Sequence, residues 1–136
     1  MALAIAAAAV AVIFNAGPPA PNVRFVNFMP EGKQTIKENQ EILVKFKVHN
    51  FESYDVPNAR VTTTLQGDSR FFAIDNSDFI VTPAIGGPNG ESRDLTIKIV
   101  GTNLGSQQAI EDKFSINLYV GADLTDRKQF DVRLEK

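Results

Sequence analysis

The 136-residue sequence has no cysteine, no tryptophan and a single histidine. Without cysteine, the chain cannot form a disulfide, a thiolate zinc site, an iron–sulfur cluster or a thiol nucleophile. The one histidine, His49, falls on the outward parity of a predicted strand, as a surface histidine does, and it offers little basis for a metal site or a catalytic triad. These absences argue against an enzyme, and we predict no catalytic residue and no cofactor.

An excess of positive charge is also missing, since 14 Lys and Arg residues face 16 Asp and Glu residues and the net charge is -2. Nucleic-acid binders usually carry a basic face that neutralises phosphates. A glycine cluster at residues 86–90 lacks the Lys-Ser/Thr pair and the helix of a phosphate loop, so we predict a flexible hairpin tip there. We therefore expect neither a nucleic acid nor a small-molecule substrate as a partner.

Four acidic pairs fall in predicted turns, and none has the ligand spacing of an EF-hand loop. No metal site is predicted from them, and whether one pair binds calcium stays open. The pairs are Asp75 with Asp78, Glu91 with Asp94, Glu111 with Asp112, and Asp123 with Asp126.

No charged residue precedes Arg24, and residues 1–16 are apolar enough to predict a helix that needs an apolar environment. At about 1.5 Å per residue this helix is about 24 Å long, short of a hydrocarbon core of about 30 Å. No basic residue precedes it, as one would in a signal peptide, and no good cleavage site follows. We predict a permanent anchor in lipid, with packing among partner transmembrane helices or in a filament core as alternatives. Its large side chains are Leu3, Ile5, Val10, Val12, Ile13 and Phe14.

Residues 17–21 form a Gly/Pro linker in which Gly17 ends the helix and three prolines prevent its continuation. Proline-rich segments extend by about 3.1 Å per residue, so this linker holds the next domain about 15 Å from the anchor. No cytoplasmic signal is present. The expected location of the domain is therefore the extracytoplasmic side of the membrane or the cell surface.

Residues 22–136 change to a hydrophobic period of two, which is typical of strands with one buried face. Four segments show it clearly, and weaker candidates lie at 23–28, 59–65, 71–74 and 79–81. With short turns between them, these segments predict an all-β fold, an immunoglobulin-like antiparallel β-sandwich of seven or eight strands after one N-terminal apolar helix. The clear inward positions are Ile42, Val44, Phe46 and Val48; Leu95, Ile97 and Ile99; Phe114, Ile116, Leu118 and Val120; and Phe130, Val132 and Leu134.

The run Lys45-Phe46-Lys47-Val48-His49-Asn50, followed by residues 56–62 and 65–68, resembles the CARDB-like immunoglobulin domains of archaeal cell-envelope proteins. This resemblance implies an extracytoplasmic, non-catalytic sandwich used for adhesion, spacing or assembly. An apolar N-terminal helix before such a sandwich is also similar to archaeal pilins and archaellins.

Two functions follow as expectations. The first is a membrane-anchored accessory or assembly subunit that binds other envelope proteins; the second is a pilin-like subunit that polymerises with copies of itself, through its helix or by strand addition. If residues 23–28 pair within their own sandwich, strand exchange is unnecessary. Bulky side chains on the less buried parity or in turns are the predicted partner contacts, because exposed aromatics often mark interfaces. These contacts are Val26, Phe28, Phe51, Tyr54 and Tyr119.

Overall fold

A computed structural model describes residues 19–67 and 69–136. The predicted helix at 1–16 and the first two linker residues lie outside this part. The described residues contain nine strands and one short 3-10 turn, Ser69–Phe71, and no helix among them is long and apolar enough to cross a membrane. The strands are β1 Val23–Met29, β2 Gln34–Lys37, β3 Glu41–Asn50, β4 Ala59–Leu65, β5 Phe72–Asp75, β6 Asp78–Ile80, β7 Leu95–Gly101, β8 Ala109–Val120 and β9 Asp123–Glu135.

The strands form two sheets, with the orders β1-β3-β7-β5 and β2-β9-β8-β4-β6. All pairs are antiparallel except β2 with β9. This confirms the predicted all-β class, with nine strands instead of seven or eight. The strand absent from the prediction is β2, which has four residues and buries only Ile36, so it shows no readable alternation.

The core lies between the sheets and is built from the positions that alternation marked as inward. Every one of those side chains is buried except Val120, which is half-buried near the end of β8. Aromatic rings fill both halves of the core: Phe25 meets Phe46 edge-on at 4.9 Å between ring centroids, and Phe114 stacks on Phe130 at 5.7 Å. Each such side chain contributes about 1.5–3 kcal/mol by leaving water.

Strand β1 pairs within its own sandwich, because Val23 lies opposite Asn50 of β3. Its outer edge is capped as well: the Phe25 N–H donates to the Asp126 carboxylate at 2.9 Å, and the Arg24 guanidinium donates to the Thr125 carbonyl. The other edge strands, β2, β5 and β6, have only four, four and three residues. Short or capped edges protect a sheet from pairing with another chain, so this sandwich is complete without a donated strand.

The position of the buried core predicts that residues 1–16 are dispensable for folding. The buried apolar side chains of the described residues all lie between Val23 and Leu134, and every strand of both sheets lies C-terminal to residue 22. A chain that begins at Gly17 should be soluble, with a β-type circular dichroism spectrum and one cooperative thermal transition. An insoluble or unfolded product would instead place residues 1–16 in the core of the domain.

Candidate interaction surface

One end of the sandwich receives the linker. There β1 begins at Val23 beside the end of β3 at Asn50, and β8 ends at Val120 beside the start of β9 at Asp123. The bonds from β1 to Thr125 and Asp126 join the two sheets at this level. We call it the linker end, and the opposite end, which carries the loop of residues 102–108, the distal end.

Exposed apolar side chains concentrate at the linker end. Six large hydrophobic side chains of the described residues are exposed, and four of them lie at or beside this end. The four, with their exposed fractions, are Phe51 (47%), Tyr54 (54%), Ile80 (44%) and Leu124 (39%); the other two are Met29 and Leu43.

A buried amide organises the loop that follows β3. Asn50 is fully buried, and its Nδ2 donates to the carbonyls of Tyr54 at 2.8 Å and Ile85 at 3.0 Å. Its Oδ1 accepts the Glu52 N–H at 2.8 Å. Both amide hydrogens and the carbonyl oxygen are therefore used, and one side chain fixes the backbone of two loops.

Phe51 is held in place although it is exposed. Its N–H donates to the Asn22 carbonyl at 2.9 Å, which joins this loop to the chain entering β1. Its ring packs on the imidazole of His49, with 4.1 Å between centroids and a tilt of 35°. The Nδ1 of His49 lies 2.8 Å from the Glu91 carboxylate. The aromatic surface is thus preorganised by His49 of β3 and by Asn22, in the segment that leads into β1.

Tyr54 directs its ring outward and its hydroxyl to Glu52, to which it donates at 3.2 Å. The pKa of this phenol is raised above its ordinary value, first by partial loss of hydration and then by the negative charge of Glu52. It therefore stays protonated and neutral at physiological pH. We call residues 51–54 the aromatic loop.

The glycine cluster at 86–90 is packed against the aromatic loop and is not the free hairpin tip that the sequence indicated. A Cβ placed on Gly87 would lie 2.5 Å from the Tyr54 carbonyl oxygen and 2.7 Å from the Glu52 carbonyl oxygen. The Gly87 N–H also donates to the Asp55 carboxylate at 3.0 Å. The absence of a side chain at Gly87 lets two backbones touch and so supports the loop.

A second surface crosses the outer face of the five-stranded sheet near the linker end. Register pairs Ile80 with Arg60, Arg60 with Tyr119, and Tyr119 with Leu124, so that these four side chains form one row. We call it the outer row. Arg60 is held by Asp78, with contacts of 2.8 Å and 2.5 Å from Nε and Nη2 to the two carboxylate oxygens.

Charged and polar side chains surround the apolar members of the outer row. The hydrogen bond from Arg60 is the main reason that the pKa of Asp78 lies below its ordinary value, so the pair is ionised at neutral pH. The next rows along the sheet are polar, and they consist of Thr62, Asn117 and Arg127, then Thr64, Ser115 and Gln129. Aromatic and Arg side chains beside apolar ones are the composition enriched in protein interfaces.

The predicted contact residues do not form a single cluster. Phe51 and Tyr54 are exposed together in the aromatic loop, and Tyr119 is half-buried in the outer row. Val26 is half-buried on β1, whereas the half-buried ring of Phe28 packs against the core rings of Phe25 and Phe46 at 5.6 Å and 5.7 Å.

Sequence reasoning missed Ile80 and Leu124. The inward parity of Phe130, extended back along β9, predicts that Leu124 points inward. An irregular register between Leu118 and Tyr119 instead buries Thr125 and exposes Leu124. Ile80 lies in a strand of three residues, too short to establish a period.

A buried carboxylate in β8, outside these two surfaces, stabilises the fold. Contrary to the predicted turn, Glu111 and Asp112 lie within β8. Asp112 is buried, and its carboxylate accepts the N–H groups of Gly67 and Lys113, each at 2.8 Å. Across the described part of the chain, no three His, Asp or Glu side chains come together as a metal site.

Comparison with known proteins identifies the fold. No protein-family model matches the chain, and no curated protein matches it significantly. A solution NMR structure of the CARDB domain of a Pyrococcus furiosus protein is similar, with a TM-score of 0.55 and 16% identity over 87% of this chain and 98% of that one. The chain has a CARDB-like fold. A crystal structure of that CARDB domain, in complex with di-metal ions, is also 16% identical with a TM-score of 0.55, over 85% of this chain and 93% of that one.

The CARDB-like sandwich also resembles part of a larger protein. It superimposes with a TM-score of 0.50 and 10% identity on the alkylpurine DNA glycosylase AlkC of Pseudomonas fluorescens, bound to DNA containing an abasic site analog. The match covers 89% of this chain but 33% of the glycosylase. At this identity the likeness concerns the fold alone.

The close contact at Gly87 predicts that Gly87→Ala destabilises the domain by about 2–3 kcal/mol, because backbone atoms of the aromatic loop must move. Gly86→Ala is the matched control, since a Cβ there meets only the Asp55 carboxylate at 3.7 Å. Its cost should stay below about 1 kcal/mol. Urea unfolding of both variants measures the difference, and equal losses would refute the packing role of Gly87.

The buried amide gives a further prediction. Asn50→Ala should cost about 2–3 kcal/mol, since it removes the hydrogen-bond partner of the Glu52 N–H and the Tyr54 carbonyl. The Ile85 carbonyl loses one of two bonds, because it also accepts the Val56 N–H at 2.8 Å. The control is Gln34→Ala, which removes an amide that makes longer bonds, 3.2 and 3.3 Å, to the carbonyls of Glu31 and Gly32. The Gln34 variant should remain within about 0.5 kcal/mol of the parent. If both variants unfolded at a similar urea concentration, the stabilising role assigned to the Asn50 amide would be wrong.

Proposed function

We propose that this chain is a non-catalytic, membrane-anchored, extracytoplasmic CARDB-like sandwich that acts as an accessory or assembly subunit of a membrane or cell-envelope complex. The observation that carries the proposal is the outer row. It places two exposed aliphatic side chains, a tyrosine and an ion-paired arginine across four strands of a rigid sheet. Such a surface binds another protein by shape and apolar contact and performs no chemistry.

The sequence before the sandwich supports the membrane anchor and the extracytoplasmic location. Residues 1–16 have no charged side chain and are apolar except for Asn15, and the Gly/Pro linker joins them to the end of the sandwich that bears the exposed apolar side chains. Envelope proteins of the same complex, seated on the same membrane, are therefore the partners within reach of the outer row.

The alternative function is a pilin-like subunit of a homopolymeric extracellular filament. The apolar N-terminal segment favours it, because such helices can pack together in a filament core. Polymerisation by strand addition has less support, since β1 is paired with β3 and its free edge is capped by Asp126. A filament of this protein would therefore be held by its helices and by side chains.

Isolation of the native particle tests the proposal. After extraction in mild detergent, mass spectrometry and negative-stain imaging should find a discrete particle that contains other membrane proteins. Long fibres of this one polypeptide would contradict the proposal and establish the filament alternative.

The outer row is tested with a matched pair of leucines. Leu124→Ser should weaken retention of the co-purified proteins about tenfold, the change expected from losing about 1.4 kcal/mol at an interface. Leu43→Ser is the control, because Leu43 is as exposed (40%) but lies on the other sheet. Equal retention in both variants would show that the outer row is not the contact surface.

A further inference from the structure

We infer that the aromatic loop, residues 51–54, rests in the headgroup region of the lipid bilayer that holds residues 1–16. This inference depends on the membrane anchor of the proposed function and adds the face that the domain turns toward the membrane. The partner is a lipid surface, not a second protein.

The length of the linker sets this orientation. The linker reaches about 15 Å, whereas the ten residues of β3 extend about 33 Å from the distal end to the linker end. If the distal end faced the bilayer, the linker would have to run back along the whole sandwich, which it is too short to do. The linker end therefore faces the membrane.

At the linker end, the aromatic loop lies directly beside the incoming chain. The Phe51 N–H is bonded to the Asn22 carbonyl at 2.9 Å, one residue beyond the last linker position. A loop joined to the chain in this way must stay within about 21 Å of the anchor, the reach of residues 17–22 at about 3.1 Å each together with the hydrogen bond to Phe51.

The chemistry of the loop suits the lipid–water interface. Tyrosine rings are enriched at the level of the headgroups, where the apolar ring can contact acyl chains while the polar hydroxyl contacts water and headgroups. Phe51 and Tyr54 expose about half of their surface, and their backbones are already held, the Phe51 N–H by the Asn22 carbonyl and the Tyr54 carbonyl by the Asn50 amide. Little conformational entropy is then lost when they enter the interface.

The charges around the loop favour zwitterionic over anionic lipid. No Lys or Arg occurs in residues 49–55 or 86–91. The acidic groups there are engaged within the protein: Glu52 accepts the Tyr54 hydroxyl, Asp55 accepts the Gly87 N–H, and Glu91 contacts His49. A polybasic patch, which attracts anionic headgroups, is thus missing from this loop.

The test uses the natural lack of cysteine. The chain of residues 1–136 is reconstituted in phosphatidylcholine vesicles as Ser53→Cys, in the aromatic loop, or as Ser106→Cys, in an exposed loop at the distal end. Each thiol carries an environment-sensitive fluorophore, and nitroxide lipids in the vesicles quench it on contact. Vesicle flotation is measured in the same samples and reports the anchor independently.

We expect the label at position 53 to be quenched and blue-shifted, and the label at position 106 to behave as in water. The double change Phe51→Ser with Tyr54→Ser, in the Ser53→Cys chain, should reduce this quenching while flotation and the thermal transition persist. Persistence of both shows that neither the anchor nor the fold has been lost.

Three outcomes would overturn the inference. A chain that floats but is unquenched at position 53 would leave the anchor intact and refute the lipid contact. A blue shift without quenching that grows with protein-to-lipid ratio would assign the aromatic loop to a second copy of the chain. A chain that does not float would refute the anchor, and the lipid contact with it.

Discussion

The amide of Asn50 is the constraint on which the linker end depends. It is fully buried at the end of β3 and forms hydrogen bonds with backbone groups of Glu52, Tyr54 and Ile85. A buried polar group is costly unless each donor and acceptor is satisfied, and here the satisfied arrangement is also the one that shapes the loop. Because Gly87 carries no side chain, the neighbouring turn can pack against the same backbone. Exposed aromatics are thereby presented on a rigid support.

Two surfaces of different chemistry therefore share one end of the sandwich. The outer row lies on a sheet face and is the surface that we propose binds a protein, through Leu124, Tyr119, Arg60 and Ile80. The aromatic loop lies at the rim beside the linker and exposes two rings, which we propose rest against lipid. With residues 1–16 as the proposed anchor, a linker of about 15 Å would keep both surfaces near the membrane, and a partner on the same bilayer would lie within reach of the outer row.

The edges of the sheets limit how this protein can assemble. At the free edge of β1, the Phe25 N–H is bonded to the Asp126 carboxylate and the Arg24 side chain donates to the Thr125 carbonyl. The remaining edge strands are too short to template another strand. Association then depends on side-chain surfaces. This separates the chain from proteins that polymerise by exchanging strands, although the apolar N-terminal segment is compatible with a filament held by helices.

The fold class and most of the core could be predicted from the sequence, because alternation along one strand is a local property: Phe46, Ile97, Phe114 and Val132 are buried as their parity indicates. The absence of thiols and of a basic excess likewise follows from composition. The aromatic loop and the outer row, in contrast, depend on contacts between segments that are far apart in the sequence. Only tertiary structure decides that a bulge turns Leu124 outward and that the turn at 86–90 packs on the aromatic loop, since register and backbone contact are set by the partner strand or loop and leave no periodic trace in the sequence.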